Sequence, residues 1–384
     1  MVFFGAYFIS QHDLLDDHSD RGHGHPNSQK ESNKELIPAI EQDSADHQKL
    51  LAGHAFEPYT LPSEIDYETM GDLLPRMWKY AIDSHLPSSC EFITFDHNPN
   101  MDLGECMFIY ASLYGVARKT RRVPFIDHKL GFPLTKVFGF THMPMAGKSV
   151  DGSFMKYRES FGCCKYDDSI LNISCNTKVI LGGYRQSYHY FHEYRRELLS
   201  SEFTFQESIG KKCVKEFYEL LTKNQLSKSD CQLVGVHIRH PGEITSRHKK
   251  AGHIGASTEY LKRAFNYFRN KYFKSPCLAF LVTGNEIAKS KTLIPDQSKG
   301  TLFNGQKVKV IFMQASLESS RLCMLTMCNH TIMTTGATGW WAAYLTQQRN
   351  NGDVVYQKEY ADPMSSLKEE MKASDYFVKT WVPL

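Results

Sequence analysis

At 384 residues, 41% hydrophobic and 12% aromatic, the chain is long enough for two domains and apolar enough to bury a sizeable core. A formal net charge of only +3 leaves no basic stripe, which excludes nucleic acid as the partner. Ten cysteines without a Cys-x-x-Cys pair argue against a zinc site.

Met1–Ser10 is apolar but falls short of the roughly 20 residues a membrane helix needs, and it lacks the basic flank of a signal peptide. Gln11–Ala55 is polar and nearly free of aromatic residues, so it reads as a disordered stem. Its histidines have no rigid frame and are read as solvated rather than metal-binding. Order is expected from a helix or two in Tyr59–Trp78. A strand at Cys90–Asp96, a turn at Asn98–Gly104, a helix at Glu105–Thr120 and a strand at Arg121–Asp127 then form a β–α–β unit. Lys129–Tyr166 reads as irregular. Its Ala146-Gly-Lys-Ser resembles the end of a phosphate-binding loop, but His142 stands where that motif needs its first glycine. A strand from Val179 turns at Gly182-Gly183 into a long helix, Gln186–Leu199. His189 and His192 on it lack His-Glu-x-x-His spacing and are read as surface residues.

Beyond a helical Cys213–Lys223, strands and helices alternate. Strands are expected at Gln232–His237, Cys277–Thr283, Val308–Met313, His330–Thr334 and Val354–Tyr356. Helices are expected at Thr258–Tyr272, Glu286–Thr292, Glu318–Cys328 and Gly339–Gln347. The alternation predicts an α/β fold with a doubly wound parallel sheet and right-handed crossovers. No Gly-x-Gly-x-x-Gly follows the first of these strands, which argues against a dinucleotide oxidoreductase.

In such a sheet ligands lie beyond the carboxyl ends of the strands. His237-Ile-Arg239-His240 ends the first strand, and Thr335-Gly336-Ala-Thr338-Gly339 follows the fourth. Arg239 offers a planar fork for a phosphate. The glycine turn and the helix N-terminus offer backbone N–H groups, and the Thr335 and Thr338 hydroxyls can add bonds. A nucleoside-linked diphosphate suits that set, and two α/β domains with a cleft between them suit a sugar-nucleotide transferase.

Four stretches resemble the alpha-1,2-fucosyltransferases. Val234-Gly-Val-His-Ile-Arg-His is similar to their Val-Gly-Val-His-Val-Arg-Arg. Cys328-Asn-His-Thr-Ile-Met-Thr-Thr-Gly-Ala-Thr-Gly-Trp-Trp-Ala-Ala-Tyr-Leu is similar to a motif of equal length. Leu103-Gly-Glu-Cys-Met resembles their Leu-Gly-Asn-Gln-Met, and Gly183-Tyr-Arg-Gln-Ser resembles their Gly-Tyr-x-x-Ser. The resemblance implies two facing Rossmann-like domains of the GT-B type behind a stem. The expected ranges are stem 1–56, acceptor-side domain 57–228 and donor domain 229–384. It implies an inverting, metal-independent transferase moving L-fucose from GDP-fucose to the 2-hydroxyl of a galactose-terminated glycan in the Golgi. Arg239 would hold the diphosphate, His237 would support it, and Thr335, Gly336, Thr338 and Gly339 would complete the donor site.

The chain departs from these motifs at Asp102, Glu105, Cys106 and His240. Glu105 is read first as a helix cap and, as the sharper alternative, as a candidate general base for the acceptor hydroxyl; Glu243 is a second, weaker candidate base. The departures also fit a silent family member that binds a nucleotide-sugar or glycan without transfer. Asn172-Ile-Ser and Asn329-His-Thr are glycosylation sequons. Asn329 adjoins a buried strand, which leaves Asn172 as the expected site. With an even cysteine count the sequons fit a secretory-pathway protein carrying a few disulfides, and buried free thiols fit the same count.

Overall fold

The structure, a computed structural model, describes residues 90–96, 101–127, 133–139, 145–146, 154–160, 163–294, 307–314 and 317–384. The expected stem, the Tyr59–Trp78 helix and the glycine, lysine and serine of the loop decoy lie outside them.

Two parallel sheets organise the chain. In the first, β1 (Ile93–Phe95), β5 (Val179–Gly182) and β4 (Met155–Arg158) lie in the order β1-β5-β4. A parallel bridge from Ile93 to Pro124 sets β2 (Ile126–Asp127), with its partner β3 (Met145–Ala146), beside β1. Strand β4 falls in a stretch whose sequence reads as irregular. Its exposed edge position, with only Tyr157 half-buried, removes the apolar alternation that would have marked it.

The second sheet holds β6 (Cys231–Ile238), β7 (Cys277–Gly284), β8 (Lys307–Phe312), β9 (His330–Met333), β10 (Val354–Tyr356) and β11 (Val382–Pro383). Their order is β11-β10-β9-β6-β7-β8, and every pair is parallel. Numbered within the sheet this is 3-2-1-4-5-6, the doubly wound order, whose direction of progression reverses between β6 and β9. Side chains of β6 and β7 alternate between two cores. Leu233, Ala279 and Leu281 join one, while Val234, Val236, Phe280 and Val282 join the other. Buried on both faces, these strands read as continuous apolar runs.

The helices that matter most for the site are α1 (Leu103–Thr120), α2 (Glu207–Lys223), α3 (Ser246–Ala251), α4 (Thr258–Lys271), α5 (Ile287–Leu293), α6 (Glu318–Thr326) and α7 (Ala337–Asn350). Helix α1 begins two residues before its expected start at Glu105. Asp102 accepts the Glu105 N–H while Glu105 accepts the Asp102 N–H, a reciprocal capping box. Arg121, left-handed at φ 55, closes its far end. Both α1 and α7 are apolar around most of their circumference, because they lie against each other at the centre of the molecule. Phe108 packs on Trp340 at 4.6 Å and on Trp341 at 5.2 Å between ring centroids. One hydrophobic core thus runs from Ile93 through this seam to Trp381, across the expected 228/229 boundary.

The expected helix Gln186–Leu199 does not form as one helix. It is a series of short turns at Tyr188–Tyr190, His192–Tyr194, Arg195–Glu197 and Leu198–Glu202. Tyr188, Tyr190 and Phe191 are all buried, a demand that no single helical stripe satisfies. A Cβ on Gly115 of α1 would collide with the Tyr190 backbone, so the turns fit closely against that helix. His192 is half-buried rather than a surface residue, and its Nδ1 lies 2.9 Å from the Tyr344 hydroxyl.

Disulfides join Cys90 to Cys175, Cys163 to Cys164, Cys213 to Cys323 and Cys231 to Cys277; Cys106 and Cys328 are buried free thiols. Among the described residues no helix is long and apolar enough to cross a membrane.

Candidate active site

The carboxyl ends of β6 and β9 meet where the order of the second sheet reverses, and the predicted donor residues gather there. The Thr334 hydroxyl ties the two strand ends together: it donates to the His237 carbonyl at 3.2 Å and accepts the Arg239 N–H at 3.0 Å. Gly336, at φ +98, turns the chain into α7. A Cβ there would lie 3.1 Å from Arg239 Nη1, so the guanidinium rests directly on the turn. That guanidinium makes no hydrogen bond or ion pair with any described residue, while its charge reaches Asp102, Glu105 and Glu243.

His237 lies beneath Gly339, where a Cβ would fall 2.6 Å from its Nδ1. It is buried with Nδ1 unpartnered, and burial, together with the charges of Arg321 and Arg239, pushes its pKa down to about 3. His237 is therefore neutral and supports the site by packing, without adding charge. The threonine hydroxyls are committed elsewhere. Thr335 donates to the Ile254 carbonyl at 3.0 Å, and Thr338 donates to Glu318 Oε1 at 2.5 Å. An anion at this turn would be met chiefly by Arg239 and by backbone N–H groups at the start of α7.

Helix α1 delivers a second N-terminus to the same place. A Cβ on Gly104 would collide with Ala337 and Thr338, so a bare glycine is what lets the two helix ends meet. Glu318, first in α6, spans the junction by also accepting the Leu103 N–H. Asp102, Glu105 and Glu318 therefore form an acidic wall opposite Arg239. Burial, then the charge of Asp102, raises Glu105 to about 7, against the pull of the Asp102 N–H and Arg239. Burial likewise raises Asp102 and Glu318. Asp102 keeps an exposed surface. Glu105 is thus a helix cap, and its pKa also suits proton exchange near neutrality. Glu243, raised by burial, accepts the Glu286 N–H at 3.3 Å and faces β7 instead.

An open cavity of about 640 Å³ adjoins the Arg239 backbone between the loop after β6 and the segment after β10, lined by Pro241, His253, Gly255, Ser257, Gln357 and Asp362 among others. No group of three or more His, Cys, Asp or Glu among the described residues is placed to hold a metal ion. Asn172 is exposed at the end of a short turn, Asp168–Asn172. Asn329 instead accepts the Leu233 N–H at 3.0 Å, which ties its amide into the sheet.

Sequence reasoning missed Glu318 and Arg321, which belong to no recognised motif. Asp102 had a signal, since Asp-x-x-Glu before an apolar run is a capping signature.

The sequence profile of glycosyl transferase family 11 matches residues 63–384. The chain belongs to glycosyl transferase family 11. Its resemblance to the alpha-1,2-fucosyltransferases is borne out, and with it the assignment as a fucosyltransferase. This family 11 transferase is 30% identical over 279 residues to galactoside alpha-(1,2)-fucosyltransferase 2 of Pongo pygmaeus, spanning 73% of the present chain and 76% of that one. It is 29% identical over 318 residues to the enzyme of the same name from Oryctolagus cuniculus, covering 81% and 82% of the two chains. A solved Arabidopsis thaliana FUT1 mutant in complex with GDP superposes with a TM-score of 0.43 at 11% identity, covering 80% of this chain and 86% of that one.

Proposed function

We propose that this family 11 transferase moves L-fucose from GDP-fucose to the 2-hydroxyl of a terminal galactoside of a glycan, with inversion and without a metal ion. The observation that carries this reading is Arg239. It is a guanidinium without a protein partner among the described residues, seated on the glycine turn at the reversal point of a doubly wound sheet. Such a fork, with the N-terminus of α7 beneath it, supplies the positive charge that a departing diphosphate needs. The cavity beside Arg239 would receive the nucleoside. Glu105, on the facing helix, would take the proton from the acceptor hydroxyl as that oxygen attacks the fucose carbon.

The relatives are named as galactoside fucosyltransferases, which supports the donor and the acceptor class. Disulfides and an exposed sequon at Asn172 support residence in the Golgi lumen, where the reading places a part in protein glycosylation.

The test is calorimetric titration of GDP and GDP-fucose into the wild-type protein and Arg239→Ala, followed by a galactoside acceptor panel. Micromolar binding of both ligands, weakened at least tenfold by the substitution, with fucose transferred to a galactoside, is the expected result. Failure of either ligand to bind the folded wild type would sink the proposal. The acidic wall of Asp102, Glu105 and Glu318 favours a second reading, a silent binder. Donor binding with no transfer to any galactoside would select it.

A further inference from the structure

A diphosphate brings more negative charge than one guanidinium neutralises, and this crevice adds carboxylates of its own. The motif resembled by Val234–His240 carries a second arginine directly after the first, where this chain has His240. The His240 ring is turned back on its own loop, with Nδ1 accepting the Gly242 N–H at 2.9 Å. Strand β6 therefore offers the site a single guanidinium.

Another arginine enters from α6. Arg321 lies in the first turn of that helix, half-buried, and its Nη2 donates to Asn285 Oδ1 at 3.0 Å just beyond the end of β7. Its charge, like that of Arg239, reaches the buried His237 ring. The strand order then fixes a sequence of features across the crevice. The cavity opens between the end of β10 and the loop that follows Arg239, Arg239 itself stands at the end of β6, and Arg321 is anchored at the end of β7. A nucleoside diphosphate with its nucleoside in the cavity would pass Arg239 first and bring its distal phosphate towards Arg321.

We propose that Arg321 binds the distal phosphate of the nucleoside diphosphate, supplying from α6 the second positive charge that β6 lacks in this chain. The inference rests on the donor site described above, and it adds a residue that the motif comparison does not reach. Charge-assisted hydrogen bonds to phosphate are directional, and a guanidinium already held by Asn285 loses little freedom in forming them.

The experiment is calorimetric titration of GDP and of GMP into the full chain as wild type, Arg321→Ala and Arg321→Gln, with melting curves to show that each is folded. Gln retains a donor for Asn285 and reports on the site if the alanine variant does not fold. The expected result is a loss of GDP affinity of about ten- to a hundredfold, the range of one charge-assisted bond, with GMP affinity changed by less than about threefold. Adding His240→Arg to the variant should recover part of the GDP affinity. Equal losses for GDP and GMP, or no loss for either, overturn the assignment of Arg321. GDP that fails to bind the wild type refutes instead the donor site on which the inference rests.

Discussion

Glu105 caps α1 and is the proposed general base, and the two demands pull in opposite directions. As the third residue of α1 it closes the capping box, accepting the Asp102 N–H at 3.0 Å. As a carboxyl raised to about 7 by burial and by Asp102, it is poised to exchange a proton. The folded protein holds that proton more tightly than the unfolded chain does. The stability this contributes is complete below the usual carboxylate range and is lost as pH rises through about 7. Proton acceptance follows the reverse course, growing over the same interval. Glu105→Gln keeps a carbonyl oxygen for the cap and removes the ionisation. It should lower turnover about 10²- to 10⁴-fold and abolish the pH–rate limb near neutrality, while raising the melting temperature above pH 7. An unchanged pH–rate profile would assign Glu105 to the cap alone.

At the scale of elements, the seam between α1 and α7 decides whether there is a site. Asp102 and Glu105 on one side and the glycine turn on the other stand at the N-termini of these two helices, held by Phe108 against Trp340 and Trp341. Phe108 is fully buried, and its truncation to alanine should cost about 3–5 kcal/mol in denaturant unfolding. If the seam sets the spacing of Glu105 and Arg239, turnover in that variant should fall further than donor affinity. Equal changes in the two would confine the seam to stability. The run Trp340-Trp-Ala-Ala-Tyr-Leu showed that α7 is buried, but nothing in it named α1 as the partner. The same limit explains Gln186–Leu199. Its composition suits a helix, and only the close approach to Gly115 and the burial of three aromatic side chains break it into turns.

For the whole molecule, acid should be the more damaging direction of pH. His192, His253 and His330 are lowered to about 4 and His237 to about 3, in each case chiefly by burial. Each is neutral in the fold and takes up a proton more readily once unfolded. Their contribution is therefore present above the ordinary histidine range and is lost as pH falls from about 6.5 towards their folded values. Melting temperature should decline steadily over that interval, and a flat profile between pH 6.5 and 4.5 would show that these rings are not buried neutral.

The alternation of short apolar strands and helices after Gln232 was enough, by itself, to determine a parallel doubly wound sheet. That pattern is local, and the right-handed crossover rule leaves few ways to assemble it. The placing of Arg239 and the glycine turn at strand ends was legible for the same reason. Only the tertiary structure decided which side chains share the crevice. Glu318 meets Thr338 across 20 residues of sequence, and Arg321 is anchored to Asn285 across 36. Such pairings depend on how helices cross a sheet after the chain has closed, and no periodicity along the sequence records them.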